Sequence, residues 1–360
     1  MTRNIKSFKV GIYSPYLNIF GGGERYLLNI ANSLSRENEV FLFSDKSVRQ
    51  KSNAVFNISL ERVQFLPSKI FGINNLLKKL SSIRQFDIFF YMTDGSLFFS
   101  PCEKNFLIIQ SPDHIPVLTV LNKLKLRNWK IICYSQFMAE IIKKKLNRVP
   151  IILSPAIDTE VFKCNIAEKK NIILSVGRFF SHLHNKKHNV LVEVFKKNYK
   201  KMFKNWQLVI AGGLTDSEGE RLVALLKKKS ENFPIEILTN VSFNELKSLY
   251  QRTKIYWHAA GFGEDTENYP QKAEHFGITT LEAMASGCVP LVYAAGGQKD
   301  IVTDGGNGYL WINVKELVGK ARKLIENGAL FKSLSISAQM RAQEFSQAKF
   351  YEKLNQIIAE

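Results

Sequence analysis

Two carboxylates eight positions apart carry the clearest chemical signal in this sequence. Glu274 and Glu282 flank a short loop, HFGI at 275–278, and a stretch, TTLEAMA, with helical character. Thr279 and Glu282 have the spacing of an N-terminal capping box, and Gly287 can adopt the left-handed conformation that ends a helix. The first backbone N–H groups of a helix lack intrahelical acceptors, so this loop–helix junction can bind phosphate. Because carboxylates would not share that position with phosphate, the glutamates suit sugar or ribose hydroxyl groups on either side.

The same residues also have a local interpretation, in which Glu282 only caps its helix and Glu274 is a solvated loop charge. The whole run EHFGITTLEAMASGCVPLV at 274–292, however, resembles the E-x7-E signature of the retaining glycosyltransferases of family 4, which have the two-domain GT-B fold. The resemblance implies that Glu282 binds the ribose and Glu274 the donor sugar. It also implies that the donor is a UDP- or GDP-sugar bound along the turn, by Phe276, Gly277, Ile278, Thr279 and Glu282.

Length and composition predict one or two cytosolic domains. The 360 residues, 45% of them hydrophobic, are enough for two cores. Four cysteines without a C-x-x-C pair argue against a disulfide framework or a zinc site and suit a reducing compartment. The basic start, 1–9, precedes an apolar run too short for a signal peptide, and no run approaches the roughly 18 residues of a membrane span.

The net charge of +18 predicts an anionic partner. The sequence has no recognition-helix, RNA-binding or zinc-finger pattern, so a nucleic acid is the weaker explanation. Basic, amphipathic segments at 67–86 and 117–130 favour an anionic membrane surface. The alternative is that the segments are ordinary helices with a solvated basic face.

Strands and helices alternate in both halves of the chain, which predicts an α/β fold with two Rossmann-like, doubly wound domains facing a cleft. We expect an N-terminal acceptor-binding domain over 1–165 and a nucleotide-sugar-binding domain over 166–340. The resemblance implies that a C-terminal helix, 341–360, returns to the N-terminal domain, with Phe350, Leu354 and Ile357 as its buried face.

A glycine turn follows the first predicted strand. Gly21, Gly22 and Gly23 precede a helix that extends to about Ser35, and such a turn lets backbone approach a ligand closely. A plain tight turn is the alternative. In this position the run resembles the family's G-G-x-E segment, which implies that Gly22 and Gly23 face the donor phosphates.

Polar residues follow two other strands of the first half. Ligands of open α/β sheets bind at the carboxyl ends of strands, so Asp94, Gln110 and His114 are candidate acceptor residues. The family often has a histidine just before a proline here, whereas this sequence has Gln110 and Ser111 before Pro112. A purely structural role is therefore the alternative for His114.

Two cations complete the predicted site. Gly177 and Arg178, followed by Lys186 before a helix, resemble the family's G-R…K pair, which neutralises the departing diphosphate. Lys187 is the alternative lysine, and a solvated basic loop is the alternative interpretation. No D-x-D occurs, so no metal site is expected and no cofactor is needed. The predicted catalytic residues are thus Glu274, Arg178 and Lys186.

The predicted function is metal-independent transfer of a hexose, with retention, to a saccharide or lipid-linked acceptor in cell-surface glycan synthesis. Glu274 could act as a covalent nucleophile, although the family is generally thought to use front-face attack. The expected location is the cytoplasm, peripheral to the inner face of the membrane. A sugar-nucleotide epimerase of similar fold and a non-catalytic basic protein that binds membrane or nucleic acid are the rival functions.

Overall fold

The computed structural model describes residues 7–72, 76–180 and 185–360. These residues form two compact units. Unit 1 comprises the residues up to Ala156 together with Ala348–Glu360, and unit 2 comprises Ile157–Gln347. The division after Ala156 lies slightly before the boundary expected near residue 165.

Unit 1 is built on a seven-stranded parallel sheet. Its strands are β1 Lys9–Tyr13, β2 Glu39–Phe43, β3 Val63–Leu66, β4 Ile88–Met92, β5 Lys104–Ile108, β6 Lys130–Cys133 and β7 Ile151–Ile152, in the order β3-β2-β1-β4-β5-β6-β7. The chain order therefore reverses between β1 and β4, which is where ligands bind in doubly wound sheets.

Helices flank the sheet of unit 1. They are α1 Gly22–Leu34, α2 Ser47–Phe56, α3 Leu76–Ile83, α4 Val120–Leu126, α5 Gln136–Leu146 and, from the end of the chain, α14 Gln347–Ala359. The predicted stripe of α14 is buried, because Phe350, Leu354 and Ile357 are each no more than 5% exposed. The Phe350 ring packs edge-on against Tyr26 of α1, with 5.9 Å between centroids. The return of the C-terminal helix to unit 1 is thus confirmed.

Unit 2 repeats the same winding with a six-stranded parallel sheet. Its strands are β8 Lys170–Val176, β9 Gln207–Gly212, β10 Ile235–Thr239, β11 Thr253–His258, β12 Val289–Tyr293 and β13 Tyr309–Trp311, in the order β10-β9-β8-β11-β12-β13. Its helices are α6 Thr159–Phe162, α7 His188–Asn198, α8 Ser217–Ser230, α9 Phe243–Arg252, α10 Ile278–Ala285, α11 Gln298–Ile301, α12 Val314–Glu326 and α13 Gly328–Gln343. The order reverses between β8 and β11. The predicted α/β class with two Rossmann-like domains is confirmed.

The basic segment at 67–86 is not one amphipathic helix. A short 3-10 turn over Ser68–Gly72 precedes α3, and Phe71 stacks on Tyr13 with 3.7 Å between ring centroids. Ile73, one of the apolar residues of this segment, lies outside the described residues. Within the described part of the chain, no helix is long and apolar enough to cross a membrane.

Candidate active site

The turn into α10 differs from the predicted capping box. The helix begins at Ile278 with Gly277 as its N-cap, and Gly277 has φ +118°, a left-handed conformation that favours glycine. Thr279 is therefore already inside the helix, and its Oγ1 accepts a hydrogen bond of 2.8 Å from the Tyr256 hydroxyl. The predicted cap at Thr279 is wrong, because glycine rather than threonine supplies the turn. The end of the helix is as predicted, since Gly287 is left-handed, with φ +70°.

Glu282 is a buried carboxylate rather than a helix cap. Its side chain is 3% exposed, and its Oε2 accepts a hydrogen bond of 3.0 Å from the Tyr250 hydroxyl. Burial raises the pKa of Tyr250 well above its ordinary value, so this hydroxyl stays protonated and donates. The local interpretation of Glu282 as a reciprocal cap is therefore wrong. A carboxylate is costly to bury without polar partners, and the hydrogen bond from Tyr250 offsets part of that cost.

Glu274 contacts two side chains that are distant from it along the chain. Its Oε2 lies 2.5 Å from Lys186 Nζ and 3.0 Å from His258 Nε2. His258 ends β11 and Lys186 follows β8, so the cluster lies where the chain order of this sheet reverses. Both contacts use the same carboxylate oxygen.

The protonation states within this cluster are set by opposing effects. Burial raises the pKa of Glu274, but the Lys186 charge and the His258 hydrogen bond lower it further, so the pKa lies well below its ordinary value. Burial lowers the pKa of His258 more than Glu274 raises it. At neutral pH Glu274 is therefore ionised, and His258 is neutral and donates Nε2–H to it.

The two neighbouring lysines have different partners. Lys187 Nζ lies 2.5 Å from Glu264 Oε1, and Lys272 Nζ lies 2.8 Å from Glu264 Oε2. Lys187 is also the N-cap residue of α7 and has a left-handed conformation, with φ +54°. Lys186 alone of the two reaches Glu274, which favours Lys186 as the functional lysine. Lys187 belongs to a separate ion cluster.

Arg178 follows β8 directly, as the sequence indicates. Its guanidinium lies over the Phe180 ring, with 5.1 Å to the centroid, and within the described residues it makes no ion pair. Gly177 contacts the stem of the other predicted cation, because a Cβ there would lie 2.6 Å from Lys186 Cγ. Residues 181–184 of the predicted loop lie outside the described residues. Both cations follow β8 along the chain, and of the two only Lys186 is seen to contact Glu274 within the described residues.

The turn of α10 rests on a second glycine loop. The Gly297 N–H donates to the Glu274 carbonyl at 2.8 Å, and a Cβ on Gly296 would lie 2.1 Å from that same oxygen. Phe276 turns its side chain inward, 3% exposed, against Phe345. Because its side chain is packed in the interior, the prediction that Phe276 contacts the donor applies only to its backbone. Tight backbone packing fixes the position of the whole turn.

In unit 1 the predicted glycine turn and one acceptor candidate are in contact. Gly21 caps α1, and its N–H donates to Glu24 Oε2 at 2.6 Å. A Cβ on Gly23 would lie 1.7 Å from Gln110 Oε1, so only glycine fits against this amide. Gly22 is exposed at the first position of the helix. The glycine turn and Gln110 form one polar surface at the carboxyl edge of this sheet.

The other two acceptor candidates lie near one another in the same unit. Asp94 accepts hydrogen bonds from the Tyr91 hydroxyl at 3.2 Å and from the Ser96 N–H at 3.0 Å. His114 stacks on Tyr16, with 5.5 Å between ring centroids. Burial lowers the pKa of His114 against the opposing effect of nearby carboxylates including Asp94, so the ring is neutral at neutral pH. Both side chains thus have structural contacts as well as polar atoms.

His258 and Tyr250 are the residues that sequence reasoning missed. His258 follows an apolar run in β11, and Tyr250 lies near the end of the amphipathic helix α9, so neither residue stood out from its element. The available signal for His258 was its position, since it ends a strand, and ligands of open α/β sheets bind at the carboxyl ends of strands. No local spacing links Tyr250 to Glu282, which it meets only through the fold.

His188, at the start of α7, gives a prediction for acid stability. Burial lowers its pKa from 6.5 to about 3, with smaller effects from Lys186 and His258. The unfolded chain therefore binds more protons between these values, and stability that is complete above about pH 6.5 is lost as the pH falls. From about pH 7.5 to about pH 5 this histidine should cost about 2 kcal/mol of unfolding free energy.

We expect the acid-dependent loss to shrink by about that amount in His188→Gln, measured by urea unfolding at the two pH values. His258, whose pKa is also lowered, acts in the same direction and keeps part of the loss in the variant. An equal loss in wild type and variant would show that His188 titrates normally in the folded protein.

Comparisons with known proteins agree with this geometry. A sequence model described as "Glycosyl transferases group 1" matches residues 156–341. A Campylobacter jejuni protein is 24% identical over 94% of this chain and 95% of its own length. It is named as a GalNAc-alpha-(1->4)-GalNAc-alpha-(1->3)-diNAcBac-PP-undecaprenol alpha-1,4-N-acetyl-D-galactosaminyltransferase. A Caenorhabditis elegans protein named GDP-Man:Man(3)GlcNAc(2)-PP-Dol alpha-1,2-mannosyltransferase is 30% identical, over 49% of this chain and 39% of its own.

The fold comparison covers both units. A crystal structure of Anabaena HepE in complex with UDP matches with a TM-score of 0.74 and 16% identity, over 98% of this chain and 99% of the other. At this identity the likeness establishes the fold alone. The family match covers about half of the chain, including the Glu274 cluster and the α10 turn. The chain therefore belongs to the group 1 glycosyl transferases and is a glycosyltransferase with the GT-B fold.

Proposed function

We propose that this glycosyltransferase moves a hexose from a UDP- or GDP-sugar to a saccharide or lipid-linked acceptor, with retention and without a metal ion. The observation that carries the proposal is the cluster of Glu274, Lys186 and His258 beside the α10 turn. It combines an ionised carboxylate for a sugar hydroxyl, a cation for phosphate, and a helix start with outward N–H groups.

The hard step is departure of the diphosphate while the sugar gains positive charge. Arg178 and Lys186 would stabilise the negative charge on the leaving group, and the N–H groups of Ile278 and Thr279 would add the positive end of the helix dipole. Of the two cations, Lys186 has the more direct support as a site residue, because its Nζ lies 2.5 Å from the Glu274 carboxylate. These groups would supply positive charge that a divalent cation supplies in other enzymes.

Glu274 would bind the donor sugar rather than attack it. One of its oxygens already accepts from Lys186 and His258, which reduces its nucleophilicity and holds it in place. In the front-face route, the acceptor hydroxyl attacks the anomeric carbon from the side that the leaving group vacates. The departing phosphate oxygen then takes the acceptor proton, so no separate protein base is required. Asp94, Gln110 and His114 would contact the acceptor.

The first test is a thermal-shift panel with UDP, GDP, ADP and their common sugars, with chelator present. We expect one nucleotide family to stabilise the wild type. A ligand that binds only the folded protein raises its stability by an amount that grows with the logarithm of ligand concentration above Kd. Glu282→Ala should lower the affinity for that nucleotide family by about tenfold or more, since hydrogen bonds to a charged group contribute about 1.5–3 kcal/mol. Each shift is measured against the same variant without ligand.

The matched control is Glu316→Ala, which removes a glutamate at the start of α12 and should keep the full shift. A folded wild type that no nucleotide stabilises would overturn the proposed donor site. Donor turnover that needs no acceptor would instead favour the sugar-nucleotide epimerase.

A lipid-linked acceptor is proposed from the relatives and from one surface. The named C. jejuni and C. elegans proteins act on PP-undecaprenol-linked and PP-Dol-linked saccharides. In this chain Val117, Val120, Leu121 and Leu124 are 75%, 78%, 53% and 44% exposed, at spacings that place them on one face of α4 and its approach. The segment carries only positive charges, from Lys123, Lys125, Arg127 and Lys130. The surface is complementary to an anionic membrane.

Removing this apolar face should weaken membrane association. We expect the triple variant V120S/L121S/L124S to bind vesicles containing phosphatidylglycerol about tenfold less tightly, because it loses buried apolar area while keeping its charge. Vesicle co-sedimentation at low salt measures the effect. Met340→Ser, which removes another exposed apolar side chain at 68% exposure, is the control. Equal binding of both variants would rule out α4 as the contact.

A further inference from the structure

Gln298 is a buried polar side chain that the proposed reaction has not yet used. It begins α11, is 0% exposed, and both its Nε2 and its Oε1 lack a partner among the described residues. Its amide lies against the turn of α10. A Cβ on Gly277 would be 2.7 Å from Nε2, 3.1 Å from Cδ and 3.2 Å from Oε1.

The same loop supports the main chain of the candidate site. Gly297, the residue before Gln298, is in contact with the backbone of His275 and Phe276, since a Cβ there would lie 2.5 Å and 2.6 Å from their atoms. Thr280, in the first turn of α10, also has a fully buried Oγ1 without a partner in the described residues. Unpartnered polar atoms thus surround Gly277 at the start of an eight-residue helix.

A buried amide without partners destabilises the free protein, and an apolar side chain of the same shape would cost less. Natural proteins tolerate such groups mainly at functional sites, where the partner is supplied in another state of the site. Among the described residues this amide lies beside the Glu274–Gly277 turn of the proposed donor site, where a backbone N–H can donate to Oε1 and a backbone C=O can accept from Nε2.

We propose that Gln298 is a positioning residue for the donor, and that its amide gains its hydrogen-bond partners when the Glu274–Gly277 turn closes on the sugar and diphosphate. The inference rests on the proposed function and names the residue that couples the turn to the bound donor. Part of the binding free energy would then come from satisfying Gln298 rather than from direct contact with the ligand.

The test compares stability and donor affinity in Gln298→Met, which keeps the length of the side chain and removes both polar atoms. We expect its melting temperature without ligand to equal or exceed that of the wild type. We expect its affinity for the nucleotide sugar selected by the thermal-shift panel to fall about tenfold, measured by calorimetry. A purely structural glutamine would give the opposite sign for stability.

Two further variants separate the possible outcomes. Gln251→Met removes an amide that donates to the Lys163 carbonyl at 3.0 Å, so it should lower the melting temperature and leave donor affinity unchanged. Gln298→Glu keeps the shape of the side chain and adds a negative charge near the start of α10. It should therefore weaken binding of the bare nucleoside diphosphate as well as binding of the nucleotide sugar.

The inference is overturned if Gln298→Met binds the nucleotide sugar like the wild type, or if its melting temperature falls. Failure of the proposed function is distinguishable, because the wild type itself would then bind no nucleotide sugar.

Discussion

Glu274→Gln is expected to lower kcat by about 100-fold or more while leaving affinity for the bare nucleoside diphosphate undiminished. The glutamine keeps the shape of the side chain but lacks the negative charge that would stabilise the positive charge developing on the sugar in the transition state. It also removes the counter-ion that now neutralises Lys186 at 2.5 Å. The Lys186 charge then becomes available to phosphate, so product binding holds steady or tightens. Steady-state kinetics and calorimetry with UDP or GDP measure the two effects separately.

Glu264→Gln is the matched control, because Glu264, like Glu274, is an ion-paired glutamate of unit 2. Its partners are the two lysines of the separate Lys187 cluster. We expect its kcat to stay within about threefold of the wild type, which corresponds to less than 1 kcal/mol. If both variants lose activity equally, the effect comes from general electrostatics and not from Glu274. An active Glu274→Gln enzyme would remove Glu274 from the catalytic proposal.

Gly277→Ala is expected to weaken nucleotide-sugar binding by about tenfold or more and to lower the free energy of unfolding by about 1–3 kcal/mol. Alanine disfavours φ +118°, and its Cβ would lie 2.7 Å from Gln298 Nε2. The turn must shift to relieve that contact, which moves the first N–H groups of α10 away from the phosphate position. Urea unfolding and a ligand titration measure the two losses.

Gly305→Ala controls for backbone strain alone. Gly305 has φ +74°, and no heavy atom lies within 4 Å of a Cβ placed there. The free energy of unfolding of this variant should fall by about 1–2 kcal/mol because alanine disfavours the left-handed conformation, while its ligand affinity should be unchanged. Equal ligand affinity in Gly277→Ala and the wild type would mean that the α10 turn does not bind the donor.

The elements of both sheets could be predicted mainly where apolar runs end in glycine or polar residues. The strand that ends at Val176, before Gly177, and the helix that ends at Ala285, shortly before Gly287, are examples. Residues 48–66 gave no periodic signal, yet they form much of α2 and all of β3. β3 lies at the edge of its sheet, where only Val63 is buried, so alternation is weak and tertiary pairing decides.

The glutamate pair was legible in the sequence, but the partners of the glutamates were not. Lys186 and His258 are distant from Glu274 along the chain and meet it only because β8 and β11 are neighbours. The capping-box spacing at Thr279 was misleading for a physical reason. Gly277 offers the left-handed turn that the tight backbone packing needs, and the helix therefore starts at Ile278.

The lysine ambiguity shows the limit of spacing arguments. Lys186 and Lys187 are adjacent in a loop, where no periodic pattern tells which side chain points toward the site. A difference of one residue in the backbone path would exchange the partners of the two lysines. The left-handed conformation of Lys187 separates the two side chains, which sends one to Glu274 and the other to Glu264. Only the backbone geometry distinguishes the two lysines.

The membership of α14 in unit 1 has a consequence for how the protein is made. Unit 1 comprises the earliest described residues and Ala348–Glu360, so the ribosome completes all of unit 2 before unit 1 has its last helix. Until then the partner surface of Phe350 around Tyr26 is uncovered. Domains usually fold in order of synthesis, but here the first unit to emerge is the last to be completed, because its sheet ends at Ile152 and its last helix follows unit 2. Nascent chains stalled after unit 2 should therefore be the species that chaperones retain.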